Sequence, residues 1–215
     1  MERLARKLAE SIGASLGKSE DDVAVVTYGL IGILQVFAIF LLASAIGFAF
    51  AFWFEVVTVF LSVGFLRRLV GGAHSSGIYS CLIYSVFFVC AISAVARYAL
   101  PALPFLANCG IVAVIFIFGC VMIALKAPVA PPNKPVRTEA KRKRLRKGAF
   151  IVLSVFLVLV TASLVLFRFF GGSMLRLYTV GLSLALSTLW QITMLTRPGH
   201  RFIAFFDGLF TRKKA

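Results

Sequence analysis

The sequence predicts an all-α polytopic integral membrane protein: six transmembrane helices plus an N-terminal amphipathic interfacial helix. Three observations carry this. Hydrophobic residues make up 60% of the 215 and charged residues 14%, whereas a soluble domain has about half and a quarter. The charges are bunched between long apolar runs. No alternating strand pattern appears, and an isolated strand could not satisfy its backbone in lipid. A single membrane domain over 1–215 is the natural reading at this length. The first 22 residues are polar, with no short apolar run behind a basic start, so no cleavable signal peptide is expected.

Residues 1–22 form a cytoplasmic amphipathic segment. Leu4, Leu8, Ile12 and Leu16 recur every four residues, with Arg3, Arg6, Lys7 and Glu10 between them, the pattern of a helix lying on a membrane surface. From Val23 to Leu66 the chain is apolar except for Gln35 and Glu55. As one helix this run would be about 66 Å long, against a hydrocarbon core of about 30 Å. It therefore divides into spans near 23–45 and 48–66, with a tight turn near Ala45 to Phe48. The third span, near 78–96, is closed by Arg97, Pro101 and Pro104. The remaining spans are near 105–125, 149–167 and 174–195. A basic loop, 126–148, separates the fourth from the fifth, and a basic tail, 196–215, follows the sixth.

Six spans place both termini on one side. On that side the termini and the loops after spans two and four hold twenty Lys and Arg. The other side holds Arg97, Arg168 and Arg176. Lys and Arg accumulate in cytoplasmic loops, so the termini and the 67–81 turn are expected at the cytoplasmic face of the cell membrane. The same rule accounts for the net charge of +15 without nucleic acid as a partner. Cys90, Cys109 and Cys120 lie inside apolar runs and no Cys-x-x-Cys pair occurs, so neither a disulfide framework nor a metal site is expected.

Between spans four and five, "KAPVAPPNKPVRTEAKRKRLRKG" (126–148) has a proline-stiffened first half. Its second half is a basic cluster: Lys141, Arg142, Lys143, Arg144, Arg146 and Lys147. Anchoring to anionic lipid headgroups, at about 1 kcal/mol per basic residue, and docking of an acidic peptide are both compatible with it. A weak internal echo pairs Arg68-Leu-Val-Gly-Gly with Arg168-Phe-Phe-Gly-Gly, on opposite sides as in an inverted repeat. Such pairs are common at span ends, and coincidence suffices to explain them.

The chemistry-bearing stretch is "RRLVGGAHSSGIYSC", Arg67 to Cys81. A cysteine nucleophile needs a histidine within hydrogen-bond reach. On one continuous helix His74 and Cys81 would share a face but stand about 10 Å apart along the axis. A dyad in one subunit therefore requires a break, which Gly71-Gly72 and Ser75 to Gly77 supply, with Ser76 as a candidate N-cap. Cys81 then falls near the start of span three, where the helix dipole, Arg67 and Arg68 favour its thiolate. A span cysteine is otherwise a packing residue and a loop histidine polar filler. No third member is evident. Glu55 lies about 18 Å deeper if helical, where it would neutralise an arginine or pair with Gln35.

The string Arg67-x-x-x-x-Gly72-x-His74-x6-Cys81 resembles the signature of the accessory gene regulator B (AgrB) family, membrane-embedded cysteine endopeptidases of bacterial quorum sensing. "KAPVAPPNKPV" resembles the family's loop after span four, and the likeness covers most of the chain. It implies a catalytic dyad of Cys81 and His74, with Arg67 and Gly72 as essential motif positions and Gly71 and Arg68 beside them. Ala73 departs from the aromatic often found there. The implied activity is cleavage of a short AgrD-like propeptide through an acyl-enzyme thioester, which the peptide's own cysteine displaces to give a cyclic thiolactone. The released segment is acidic, and the 141–147 cluster would clamp it. No cofactor is implied, and a homodimer sharing its dyad is compatible with the seven-residue spacing.

Two other classes remain open. A non-catalytic transporter or scaffold would use Gln35, Glu55, Asn108 and Gln191 as a polar path, which is sparse. A lipid-directed enzyme would need clustered acids or a second histidine nearby, and His200 lies far off in the tail.

Overall fold

A computed structural model describes residues 2–17, 19–72, 77–129 and 138–211. Among these the chain is all-helical: α1 Glu2–Leu16, α2 Glu20–Ala49, α3 Trp53–Val70, α4 Ile78–Ala94, α5 Phe105–Lys126, α6 Glu139–Phe170, α7 Leu175–Thr193 and α8 Arg197–Thr211. No strand forms among the described residues, and one isolated parallel bridge joins Gly71 to Val129. Four stretches are long and apolar enough to cross a membrane: Glu20–Ala49, Ile78–Ala102, Phe105–Lys126 and Glu139–Thr193. The last joins α6 and α7 through a short 3-10 turn, Gly171–Met174. Helix α3 occupies the predicted second span, but Glu55, Arg67 and Arg68 fall within its 18 residues, and it is not among those four.

The α2–α3 corner lies at Phe50–Phe52 instead of the expected Ala45–Phe48. Gly47 stays helical because α3 packs on it: a Cβ there would sit 2.9 Å from Val56 Cγ2 and 3.0 Å from Trp53 Cα. The corner is clamped by aromatic groups. Phe48 stacks on Trp53 with centroids 4.8 Å apart, and the Tyr98 hydroxyl donates to the Phe50 carbonyl.

Beyond α4 the chain widens into a π-helical turn, Val95–Ala99, then a 3-10 turn, Leu100–Ala102, where Pro101 supplies no N–H. Arg97 on the π turn answers the question left by Glu55. Its Nη1 lies 3.9 Å from Glu55 Oε1. Thr179 Oγ1 bridges the two, donating to Glu55 at 2.5 Å and accepting from Arg97 at 3.5 Å. Gln35 is engaged elsewhere, donating to the Ile78 carbonyl at 3.2 Å.

Helix α7 is the centre of the bundle, with eleven of its 19 residues buried. Gly181 permits contact with α6: a Cβ there would lie 1.9 Å from Ser163 Oγ. The Ser187 and Ser62 hydroxyls meet at 2.6 Å, joining α7 to α3. Such small residues let helix backbones approach closely where lipid offers no hydrophobic driving force. On α1, the small face, Ala5, Ala9 and Gly13, is buried, with Gly13 closing on Val23 of α2. Leu4, Leu8 and Ile12 remain exposed.

The 196–215 segment, expected to be a tail, is largely helix α8. Thr196 caps it, its hydroxyl accepting from the Gly199 N–H at 3.2 Å, and Pro198 sits in the first turn, where a missing N–H costs nothing. Ile203 is buried with Tyr84 and Met194, and Phe202 joins Phe88 and Trp190. The internal echo has a local structural counterpart: Gly71 (φ 73°, ψ −143°) and Gly171 (φ 61°, ψ −139°) end α3 and α6 in nearly the same conformation.

The Glu55–Arg97 pair generates a prediction. Arg97→Leu leaves a buried carboxylate without its cation and should destabilise the protein by about 3 kcal/mol. Adding Glu55→Gln should recover most of that, as read by unfolding of both variants in detergent micelles.

Candidate functional site

Arg67, half-buried, and Arg68, exposed, stand in the last turn of α3. The chain then turns on two glycines in left-handed conformations, Gly71 at φ 73° and Gly72 at φ 128°. The corner is held from two directions. The Val129 N–H donates to the Val70 carbonyl at 2.8 Å, drawing its backbone so close that a Cβ on Gly71 would lie 1.9 Å from Val129 O. From α7, Gln191 Nε2 donates to the Gly71 carbonyl at 2.7 Å. A Cβ on Gly72 would sit 3.3 Å from both Met194 Cβ and Met194 O. Both glycines are therefore demanded by backbone conformation and by close neighbours.

The helix bearing Cys81 starts at Ile78, and its N-cap is Gly77, not Ser76. Gly77 is extended (φ −102°, ψ 134°) and leaves room for Ser80, whose Oγ would lie 2.6 Å from any Cβ at 77. No continuous helix runs from 74 to 81, so the break that a dyad within one subunit requires is present. His74 itself, with Ala73, Ser75 and Ser76, lies outside the described residues.

Cys81 is in the first turn of α4, its N–H donating to the Gly77 carbonyl at 3.0 Å. The thiol is half-buried, with Sγ 3.8 Å from Tyr84 Oη and 3.9 Å from Ser85 Oγ. Arg67 is close enough for its charge to act on the Tyr84 hydroxyl. Behind the thiol stands an apolar wall of Tyr84, Met194, Ile203, Phe88, Trp190 and Phe202, in which Phe88 and Trp190 stack at 4.1 Å. The thiol thus stands at a helix start and against an apolar wall.

Two contributors were missed from the sequence. Ser80, buried next to Cys81, places its Oγ 3.0 Å from Asp207 Oδ1 and 3.0 Å from the Gly77 carbonyl. Asp207 arrives on α8, 127 residues away. The available signal was the helical pattern of Phe202, Ile203 and Phe206 after the Thr-Arg-Pro-Gly start, which puts an acid on a packed helix.

The six basic residues after the proline-rich segment all fall in the first turns of α6, and they divide. Arg146 Nε donates to the Ala127 carbonyl at 3.0 Å, a structural role. Lys143 pairs with Glu139 at 3.1 Å, both highly exposed. Arg142 is exposed. Lys141, Arg144 and Lys147 line a groove of about 490 Å³ with Leu69, Leu145, Gly148 and Ile151. Cations at a helix N-terminus oppose the helix dipole, so an anion in that groove would relieve an unfavourable arrangement. A second cavity, about 370 Å³, is lined by Lys126, Leu195, Arg197, His200 and Arg201.

All-helical architecture, four apolar crossing stretches and a girdle of exposed Leu, Val, Ile and Phe define an integral membrane protein of the helical class. The chain belongs to the accessory gene regulator B (AgrB) family, whose model matches residues 2–195. It is 28% identical to an AgrB-like protein of Clostridium perfringens strain SM101 and 27% identical to a second one of strain 13, each alignment covering 99% of both chains. An AgrB-like protein of Halalkalibacterium halodurans is 31% identical, over 74% of this chain and 76% of its own. No solved structure matches the chain.

The corner sets a second prediction. Gly71→Ala must adopt a left-handed conformation and displace the Val129 carbonyl. It should cost about 3 kcal/mol, read as a lowered unfolding midpoint in detergent.

Proposed function

We propose that this chain is a membrane-embedded cysteine endopeptidase that cleaves a short AgrD-like propeptide and supports its cyclisation to a thiolactone. The observation that carries the reading is the placement of Cys81: in the first turn of α4, after the non-helical Gly77, and packed against the cluster of Tyr84, Met194 and Ile203, of which Met194 also lies against Gly72. Family membership supports it independently.

In this mechanism His74 takes the proton of Cys81. The thiolate attacks a peptide carbonyl and the C–N bond breaks. The leaving amine departs with the proton from His74, leaving the acyl group as a thioester on Cys81. A substrate cysteine then attacks that carbonyl: its proton passes to Cys81, the enzyme C–S bond breaks, and the new C–S bond closes the ring. One thioester replaces another, so the acyl activation is kept if water is excluded. The apolar wall of Phe88, Trp190 and Phe202 supports such exclusion. The extended Gly77 is compatible with a dyad within one subunit, and a homodimer sharing its dyad stays open.

The proposed topology has six crossings, with α3 as the second and both termini and Cys81 on the cytoplasmic side. Helix α6 has 32 residues, about 48 Å, which exceeds the hydrocarbon core by roughly three turns. The excess matches its basic start, placing Lys141, Arg144 and Lys147 at the headgroups. There they would hold the acidic segment of the propeptide, with anionic lipid as a competing occupant. A transport reading draws less support. Glu55 and Gln191, which would have lined a path, bind Thr179 and the Gly71 carbonyl, and Asn108 donates to Leu100 O and Tyr178 Oη.

Two tests follow. Cys81→Ala and His74→Ala proteins, shown to insert in membranes, should leave a co-expressed propeptide uncut, and normal cleavage by either sinks the mechanism. Replacing Lys141, Arg144 and Lys147 together by Gln should raise KM for a propeptide with an acidic C-terminal segment by roughly tenfold or more. A propeptide with that segment neutralised should respond much less; equal responses would argue against the clamp alone.

A further inference from the structure

We propose that the hydroxyls of Tyr84 and Ser85 are the donors that hold the oxyanion formed when Cys81 attacks its substrate carbonyl. This rests on the reading of Cys81 as the nucleophile and adds two catalytic groups to it.

The geometry starts from spacing. Residues three and four apart on a helix share a face, so Tyr84 and Ser85 follow Cys81 on the next turn of α4. Their side chains converge on the sulfur. Cys81 Sγ is 3.8 Å from Tyr84 Oη and 3.9 Å from Ser85 Oγ, and the two hydroxyls are in hydrogen-bond contact with each other. The oxygen of an attacked carbonyl stands two covalent bonds from the attacking sulfur. A donor serves it from about 2.7–3.1 Å. Hydroxyls just under 4 Å from Sγ are compatible with an oxygen seated against both of them and bonded, through its carbon, to the sulfur.

Neither hydroxyl proton is tied to a fixed acceptor. Ser62, Ser93, Ser163, Ser183 and Ser187 each donate to a carbonyl of the preceding turn, the common outlet for a helical serine. Ser85 makes no such bond among the described residues; its partners are the thiol and Tyr84. The buried Tyr84 likewise faces the thiol and Ser85, whereas Tyr98 gives its proton to the Phe50 carbonyl. Thiols and hydroxyls both donate and accept, and a hydroxyl proton rotates to suit its neighbour. Both protons can therefore turn onto an anion that forms beside the sulfur.

The neighbouring donors are already engaged. The nucleophile's own backbone N–H, a frequent oxyanion donor in acyl transfer, is spent here on the Gly77 carbonyl at 3.0 Å. Ser80 Oγ is held by that same carbonyl and by Asp207. Gln191 Nε2 donates to the Gly71 carbonyl. The surroundings of the two hydroxyls are apolar: Tyr84 packs with Met194 and Ile203, and Phe88, one turn further along α4, packs with Trp190 and Phe202. Hydrogen bonds to a developing charge are worth more in such a setting than in water.

The chemistry balances without a new reactant. As the C–S bond to Cys81 forms, the carbonyl π pair moves to oxygen, and the two hydroxyls hold that charge without giving up their protons. The pair returns as the C–N bond breaks, and the amine leaves with the proton taken from the thiol. The same oxygen takes up charge again when the substrate cysteine attacks the thioester and the enzyme C–S bond breaks. One pair of donors thus serves both cleavage and ring closure.

The experiment compares two reactions of Cys81 in full-length protein in vesicles at one pH. Propeptide cleavage passes through an oxyanion. Alkylation by iodoacetamide does not: the C–S bond forms as iodide leaves, and no carbonyl carbon is attacked. Mass spectrometry of the peptide carrying Cys81 reads alkylation apart from Cys90, Cys109 and Cys120. Tyr84→Phe keeps the ring. It should slow single-turnover cleavage roughly hundredfold, with the half-saturating propeptide concentration within about twofold. Ser85→Ala should slow cleavage about tenfold or more. In either variant the loss of cleavage should exceed the loss of alkylation by about tenfold or more. A smaller ratio overturns the proposal, because the hydroxyl would then act on the thiol or on packing. Should Tyr84→Phe fail to accumulate, Ser85→Ala is judged by the same ratio. Cleavage by Cys81→Ala would remove the nucleophile and the proposal together. An inactive Cys81→Ala beside a normally cleaving Tyr84→Phe would remove the proposal alone.

Discussion

The close approach of α7 to its neighbours holds the rest of the structure in place. Lipid is as apolar as a leucine side chain, so helices gain nothing there merely by hiding leucine from solvent. What draws α7 to α6 and α3 is direct contact: Gly181 under Ser163, Ser187 on Ser62, Thr179 on Glu55. The same helix then builds the site. Gln191 grips the Gly71 carbonyl, Trp190 stacks on Phe88, and Met194 lies against Gly72. A change that loosens α7 in the middle of the bundle will be felt at Cys81 without touching it.

The two ends of the bundle treat charge differently. At the end away from Cys81, Glu55 and Arg97 neutralise each other through Thr179, and the Asn108 amide donates to the Tyr178 hydroxyl. Buried charges survive in such surroundings only when paired. At the Cys81 end, cations outnumber acids and many point outward, on α6 and around the Lys126 cavity. That imbalance suits an anionic partner, whereas the opposite end pairs its buried acid with Arg97.

Much of the architecture was legible in the sequence because the length of an apolar run and the thickness of a bilayer constrain each other. The chain is helical over most of each predicted span, with four stretches long and apolar enough to cross a membrane, and the chain breaks helix at Gly71-Gly72 and at Gly77. The details that were not legible share a cause: they depend on contacts between distant segments. The α2–α3 corner moved because Gly47 serves α3 packing and not a turn. Helix α8 was hidden because its Arg and Lys read as a solvated tail, while Phe202 and Ile203 found partners on α4 and α7 only in three dimensions. Asp207 was invisible for the same reason. Among the basic residues, composition made six equivalent; the structure separates Arg146, tied to Ala127, from Lys141, Arg144 and Lys147, which line a groove. His74 is legible as a motif position and lies outside the described residues.

The bond from Arg146 to the Ala127 carbonyl has a mechanical consequence. Ala127 is two residues from Val129, whose N–H holds Val70 at the end of α3. The first turns of α6 are thereby tethered to the Gly71 corner by one side chain and a few nearly inextensible peptide units. A load applied where the basic groove lies does not meet a slack connection; the tether carries it to the end of α3. The groove and the Gly71 corner are two ends of one short linkage.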